Sequence, residues 1–332
     1  MNTPKLGELY NFIPVPDGSK YGIESEVECV NNALPIINTE GWVSKPDTSL
    51  RYNGMEYVSR TPFTDASVKR EVEFLFKRLN KLDILHDSPR TSTHLHYNMR
   101  GFTHTQVLTN AVAYWLVENI LFKFCGEDRE GNLFCLRLHD ASGVINYIVN
   151  DIQRVVKQGS IPFRSFSNAD NVRYGGLNLN SLPRFGTLEL RGMRGVYDPQ
   201  VVLTWCGMAD KLFTNATRYY KTPTQVVSDY LKIGSDKFVT KLMEEHTDTL
   251  AKCSDVKKWG DLISVNMSHV FPLVINTDWS TLDKSSKPLK TSTTTDAVNN
   301  IGLEAFAEAQ RVMNNLGLRR VTRVEALIGD DF

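Results

Sequence analysis

The sequence predicts an α+β fold, with helices on one side of a largely antiparallel sheet. Three observations predict it. Short segments near 22–29, 92–98 and 187–191 alternate apolar and polar residues with the period of a strand. Longer stretches between and after them carry apolar residues at helical spacing. The polar faces of the strands also share one composition of Glu, His, Asn and Arg. Lys is missing from them, although exposed faces favour Thr, Lys, Ser and mixed charges.

In the first strand, Gly22 to Cys29, successive side chains point to opposite faces. Ile23, Ser25, Val27 and Cys29 share one face, and Glu24, Glu26 and Glu28 share the other. Carboxylates in a row repel one another, so the row is expected either in solvent or neutralised by cations. Mg²⁺, a hard ion that takes oxygen ligands, suits the second case. Glu28 is expected at the rim or in solvent. Strands follow near 41–44 and 55–59, the latter setting Glu56 among apolar neighbours. A helix from about Asp65 to Leu82 is read from Val68, Val72, Leu75 and Phe76. The strand at 92–98 puts His94, His96 and Asn98 opposite Thr93, Leu95 and Tyr97.

A helix from about Thr105 to Phe124 comes next, with Leu108, Val112, Trp115, Leu116 and Leu121 recurring along it. A strand is expected near Leu133 to Leu138. A helix then runs from about Gly143 to Lys157, capped by Asp140 or Ser142. Strands at 172–179 and 187–191 follow, the second setting Leu188 and Leu190 against Thr187, Glu189 and Arg191. Asp198-Pro199 reads as a helix start, with the helix reaching Tyr219. Further helices are expected from Thr224 to about Glu245 and from about Asp296 to Asn315. Between them, 276–299 is rich in Ser, Thr and Lys and reads as a mobile loop or lid.

The 332 residues suffice for one large or two ordinary domains. Lys+Arg and Asp+Glu are both 38, which gives no global field toward nucleic acid or membrane. The first ten residues lack the basic-then-apolar pattern of a signal peptide. The longest apolar stretch, Ala111 to Phe122, is interrupted by Glu118 and too short to span a bilayer. Five scattered cysteines form no C-x-x-C pair, which fits a reducing, cytoplasmic setting. There is no internal repeat, P-loop or G-x-G-x-x-G.

Six short motifs occur in order: G-I-E-x-E (22–26), D-x-S-L (47–50), G-x-E-x-V-S (54–59), H-x-H-Y-N (94–98), R-Y-x-x-L-N (173–178) and T-L-E-L-R (187–191). Together they resemble the carboxylate–amine ligases of the glutamine synthetase and glutamate–cysteine ligase superfamily, in particular the amidoligase branch common in bacteria and their phages. The resemblance covers about Tyr21 to Tyr219. Ser25 stands where the family often has an apolar residue, and Thr48 replaces the Gly of D-G-S-L.

The resemblance implies a glutamine-synthetase-like catalytic domain over 15–222, built on a curved, funnel-like sheet with a polar concave face. Residues 223–332 would form a mainly helical extension that matches no known family motif. It also implies ATP and two or three Mg²⁺ ions, with Mn²⁺ as a substitute. Glu24, Glu26, Glu56 and Glu189 would offer carboxylate oxygens to the ions, and His96 would bind metal or phosphate. Arg173 and Arg191 would grip phosphate or carboxylate. Asn178 would position a substrate amide or nucleotide oxygen. Asp47 would orient its loop or deprotonate the amine, and Glu26→Gln would abolish turnover without unfolding the chain.

The implied reaction joins a small-molecule or peptide carboxylate to an amine through an acyl phosphate, in the host cytoplasm if the chain is phage-encoded. A homo-oligomer is compatible with it. Two alternatives use the same fold: a phosphotransferase resembling guanidino kinases, and a non-catalytic assembly or virion component. At single residues, Glu189 with Arg191 also reads as a structural ion pair, and Arg173 as a surface residue. His94 reads as support or core behind His96. His86, His104, His139, His246 and His269 read as structural, and Trp115 and Trp205 as core.

Overall fold

The computed structural model describes residues 3–30, 33–82, 84, 88–141, 143–158 and 173–284. Six strands form one sheet: β1 (Tyr21–Val27), β2 (Trp42–Pro46), β3 (Met55–Ser59), β4 (Thr93–Asn98), β5 (Leu177–Asn178) and β6 (Thr187–Leu190). Their order is β2-β3-β1-β4-β6-β5, and every neighbouring pair is antiparallel. The helices are α1 (Leu6–Leu9), α2 (Asp65–Leu79), α3 (His104–Cys125), α4 (Gly143–Gln158), α5 (Ser181–Phe185), α6 (Pro199–Tyr219), α7 (Pro223–Ile233), α8 (Ser235–Met243), α9 (Thr247–Cys253), α10 (Trp259–Ile275) and α11 (Trp279–Lys284).

Strand alternation sorts the side chains as expected. Ile23, Ser25 and Val27 of β1, Leu95 and Tyr97 of β4, and Leu188 and Leu190 of β6 are buried. Burying each large aliphatic chain contributes roughly 1.5–3 kcal/mol. Two tyrosines on this face pin helices to the sheet: Tyr21 Oη donates to Asp65 of α2 and Tyr97 Oη to Asp210 of α6, both at 2.8 Å. Helix α6 begins at the expected Asp198-Pro199, where the Asp198 side chain accepts from Gln200 N. Helix α3 packs against α6, α7, α9, α10 and α11, so nearly all of its residues are buried. That is why it is apolar all round rather than striped. Trp115 and Trp205 lie in the core. Helices from both sides of residue 222 share that core, which holds Val226, Phe238 and Ile263 together with Leu116.

Several elements differ from expectation. Leu133 to Leu138 is not a strand but a series of turns with one bridge, Leu136 to Gly175. Side chains compete for its backbone: Asn132 Oδ1 accepts from Phe134 N, and Asp140 Oδ2 from Arg137 N. Asp140 is thus engaged with Arg137, and Ser142 lies outside the described residues. The helix expected from Thr224 to Glu245 is broken in two at Gly234, whose φ of +82° no helix accommodates. The stretch 276–299 opens with α11, and the rest of it, like the helix expected from Asp296, lies outside the described residues. Among the described residues, no helix is long and apolar enough to cross a membrane.

Candidate functional site

The register of the sheet assembles the polar face. Gly22, His96, Glu189 and Asn178 lie in one row across β1, β4, β6 and β5. Glu24 and His94 face each other in the next row, and Glu26 pairs with Glu56 in the one after. Gly22 keeps its position clear, since a Cβ there would stand 3.0 Å from the His96 Cβ. These rows floor an open cavity of about 570 Å³. A larger cavity of about 980 Å³ adjoins it across the turn at 46–54 and shares Asp47 and Thr48, but its other walls are mostly apolar.

At the centre, Glu24, His96 and Glu189 offer one ligand atom each, all within 4.8 Å of one another. His96 Nε2 lies 3.4 Å from Glu24 Oε1 and 3.8 Å from Glu189 Oε2. It is buried and makes no hydrogen bond, while the other ring nitrogen, Nδ1, lies 3.0 Å from Thr187 Oγ1. An imidazole held at Nδ1 by Thr187, with Nε2 turned between two carboxylates, is a donor set that fits a divalent cation. Glu189 Oε2 accepts from Asn178 Nδ2 and Ser181 Oγ, each at 2.7 Å, and Oε1 accepts from Arg191. Three donors leave about one of a carboxylate's roughly four lone-pair positions for a metal.

Electrostatics follow from this crowding. Burial disfavours charge on Glu189, but His96, Arg191 and His94 outweigh it and lower the carboxyl to about 2. Burial likewise opposes charge on Glu24, yet His96 and His94 hold it well below the usual range. Burial opposes charge on His96, and Glu189 and Glu24 overcome this, raising it to about 9. Without a cation, a proton on His96 performs the neutralisation. His94 closes the rear of the cluster, its Nδ1 lying 3.4 Å from Glu24 and 3.6 Å from Glu189. Ser92 Oγ sits 2.5 Å from Glu26 Oε2 and 2.6 Å from His94 Nε2. One hydroxyl thus bridges the Glu26 carboxyl group and the His94 ring.

The remaining expected residues divide. Glu26 and Glu56 line the same cavity but lie outside the three-residue group. Glu56 is paired with Lys45 Nζ at 2.8 Å, and burial together with Glu24 raises its carboxyl. The strands read for this face carry no Lys, but the neighbouring β2 supplies one: Lys45, opposite Glu56 in register, neutralises that end of the row. Arg191 lines the cavity with one nitrogen spent on Glu189, so the ion-pair reading of these two is observed. Arg173 is exposed at the rim, over the Tyr174 ring. Asn178 is turned to Glu189 and Asn180 N, which makes it a support for the cluster. Asp47 Oδ1 accepts from Ser49 N and Oγ and so fixes its loop.

Glu28 is corrected. It is fully buried and accepts from Arg51 N at 2.7 Å and Arg51 Nη2 at 3.3 Å. Of the other histidines, His104 is buried beside Tyr10 and lowered to about 3 by burial, and His139 meets Asn266 and Asp140. His86 lies outside the described residues. Residues that sequence reasoning passed over are Ser92, Ser181, Lys45, Arg90 and Arg184, all lining the cavity. Ser92 carried a signal, because it shares the parity of His94 and His96. Compared with protein-family models and with curated proteins, the sequence matches none.

Proposed function

We propose that the chain is a divalent-metal-dependent ligase that uses ATP to join a carboxylate to an amine, with Glu24, His96 and Glu189 holding the metal. The observation that carries this reading is the convergence of the buried His96 Nε2 and the Glu24 and Glu189 carboxylates, with ligand atoms within 4.8 Å of one another, on the floor of an open cavity. The order of the six motifs supports the ligase assignment beyond the metal itself. A donor set of one imidazole and two carboxylates suits Mn²⁺ at least as well as Mg²⁺, because imidazole favours the transition metals. A divalent cation held by Glu24, His96 and Glu189 would supply positive charge against the charge developing on the transferred phosphoryl group.

The chain's own residues supply the rest. Arg191 and Arg173 offer planar guanidinium groups for phosphate or substrate carboxylate. Asp47, which lines both cavities, would take a proton from an incoming amine. In the reaction, a carboxylate oxygen attacks the γ-phosphorus and ADP leaves. The amine nitrogen then attacks the acyl carbon, phosphate leaves, and the amine gives up a proton.

The test is calorimetry of ATP with Mg²⁺ or Mn²⁺, with Glu24→Gln and Glu26→Gln as variants, followed by hydroxylamine trapping with a pool of carboxylic and amino acids. Metal-dependent binding that Glu24→Gln removes, with a trapped hydroxamate, is the expected result. A stable phosphorylated product without hydroxamate would indicate a phosphotransferase. No nucleotide binding at all would overturn the proposal.

A further inference from the structure

The mouth of the cavity carries aromatic rings that metal and phosphate binding do not use. Phe134 and Phe185 line it and are 47% and 53% exposed. A single exposed Phe needs no explanation. Here two border one polar cavity, together with Tyr174 and the exposed guanidinium groups of Arg90, Arg173 and Arg184. Phe134 meets Tyr174 edge-on with centroids 6.3 Å apart, and the Arg173 guanidinium lies 5.4 Å from the Tyr174 centroid. Phe185 stands edge-on to the His96 ring at 6.0 Å.

The backbone under both phenylalanines is braced. The Phe134 carbonyl accepts from Arg191 Nε at 3.3 Å, which ties that ring to the partner of Glu189. The Phe185 carbonyl accepts from Arg100 Nε at 2.9 Å, and the chain turns sharply behind it at Gly186, with φ of +70°. Rings presented to solvent on a fixed backbone lose little entropy when they stack on a ligand. Planar π-faces beside arginines and a metal-binding floor match a planar base carrying a chain of phosphates.

We propose that Phe134, Tyr174 and Phe185 form the stacking platform for the base of the nucleoside triphosphate. The assignment rests on the nucleotide reading under Proposed function and deepens it. Stacking of this kind accepts any base, because every base has a π-face.

The test compares Mn²⁺-ATP with Mn²⁺-tripolyphosphate by calorimetry on the full chain, for wild type, Phe134→Ala, Phe185→Ala and the conservative Phe185→Trp. Each alanine variant is expected to weaken ATP binding by roughly 5- to 150-fold, with tripolyphosphate unchanged in Phe134→Ala and weakened less than ATP in Phe185→Ala, whose ring borders His96, and Phe185→Trp to retain ATP binding. Equal weakening of both ligands, or unchanged ATP affinity in both alanine variants, would overturn the platform. Wild type binding tripolyphosphate as tightly as ATP would also overturn it, while leaving the metal–phosphate site standing. Binding of neither ligand would remove both proposals.

Discussion

Glu118 offers the sharpest test of the electrostatics of this fold. It lies fully buried in α3. Its Oε2 accepts from Leu138 N at 2.7 Å and Asn266 Nδ2 at 3.2 Å, and its Oε1 has no hydrogen bond. Burial, only partly offset by those two donors, raises its carboxyl from the ordinary 4.5 to about 8. Near pH 7 the side chain is therefore mainly neutral when folded and ionised when unfolded. The folded state holds the extra proton, so the stability from this group is complete below pH 4.5 and is lost as pH rises through about 8. At roughly 1.4 kcal/mol per pH unit, the loss between pH 6 and 8 is on the order of 2–3 kcal/mol. Glu118→Gln stays neutral and keeps an acceptor for Leu138 N, so its stability should be flatter over that interval by the same amount. Urea unfolding of both proteins at pH 6, 7 and 8 measures the difference. If the variant loses as much stability as wild type, Glu118 is not the neutral buried acid described, and the reasoning fails.

Three further outcomes are expected. Asn178→Ala removes a donor that orients Glu189, and Mn²⁺ affinity should fall roughly 10- to 100-fold; an unchanged titration would show that Asn178 does not support the cluster. Gly22→Ala sets a Cβ 3.0 Å from the His96 Cβ, so Mn²⁺ binding should weaken while thermal unfolding moves little, and intact binding would show that the His96 ring is free to shift. Gly186→Ala combines a φ of +70° with a contact of 2.6 Å to Arg100 Cγ, so chemical denaturation should show a loss of about 1–3 kcal/mol; wild-type stability would contradict the strain.

The polar face was legible because strand alternation is a local property. The parity of Glu24, His96 and Glu189 follows from three short segments, and antiparallel pairing brings them together. What escaped depends on residues distant in sequence. Glu28 has the parity of a cavity residue, yet Arg51, 23 residues on, folds over it and buries it. Glu56 resembles a ligand until Lys45 from the neighbouring strand takes its charge. The apolar run after Asn132 has strand composition, but Asn132 and Asp140 capture its amides and leave Phe134 facing outward. The division of Glu24, His96 and Glu189 from Glu26 and Glu56 is a matter of a few ångströms, which spacing along the chain does not encode.

The row of Gly22, His96, Glu189 and Asn178 makes the sheet an indexing frame for the chemistry. Each strand contributes by position rather than by shape, and a shift of one residue sends its side chains to the helical face. One inserted or deleted residue inside β4 or β6 would thus replace a cavity-floor side chain with Leu or Tyr and bury a charge in the core. Changes in chain length are tolerable only between the strands. Variation that retunes this protein without disarming it therefore falls to connections that join no directly paired strands, such as 126–141, which borders the cavity, whereas 47–54 links the paired β2 and β3 and helps to fix their register.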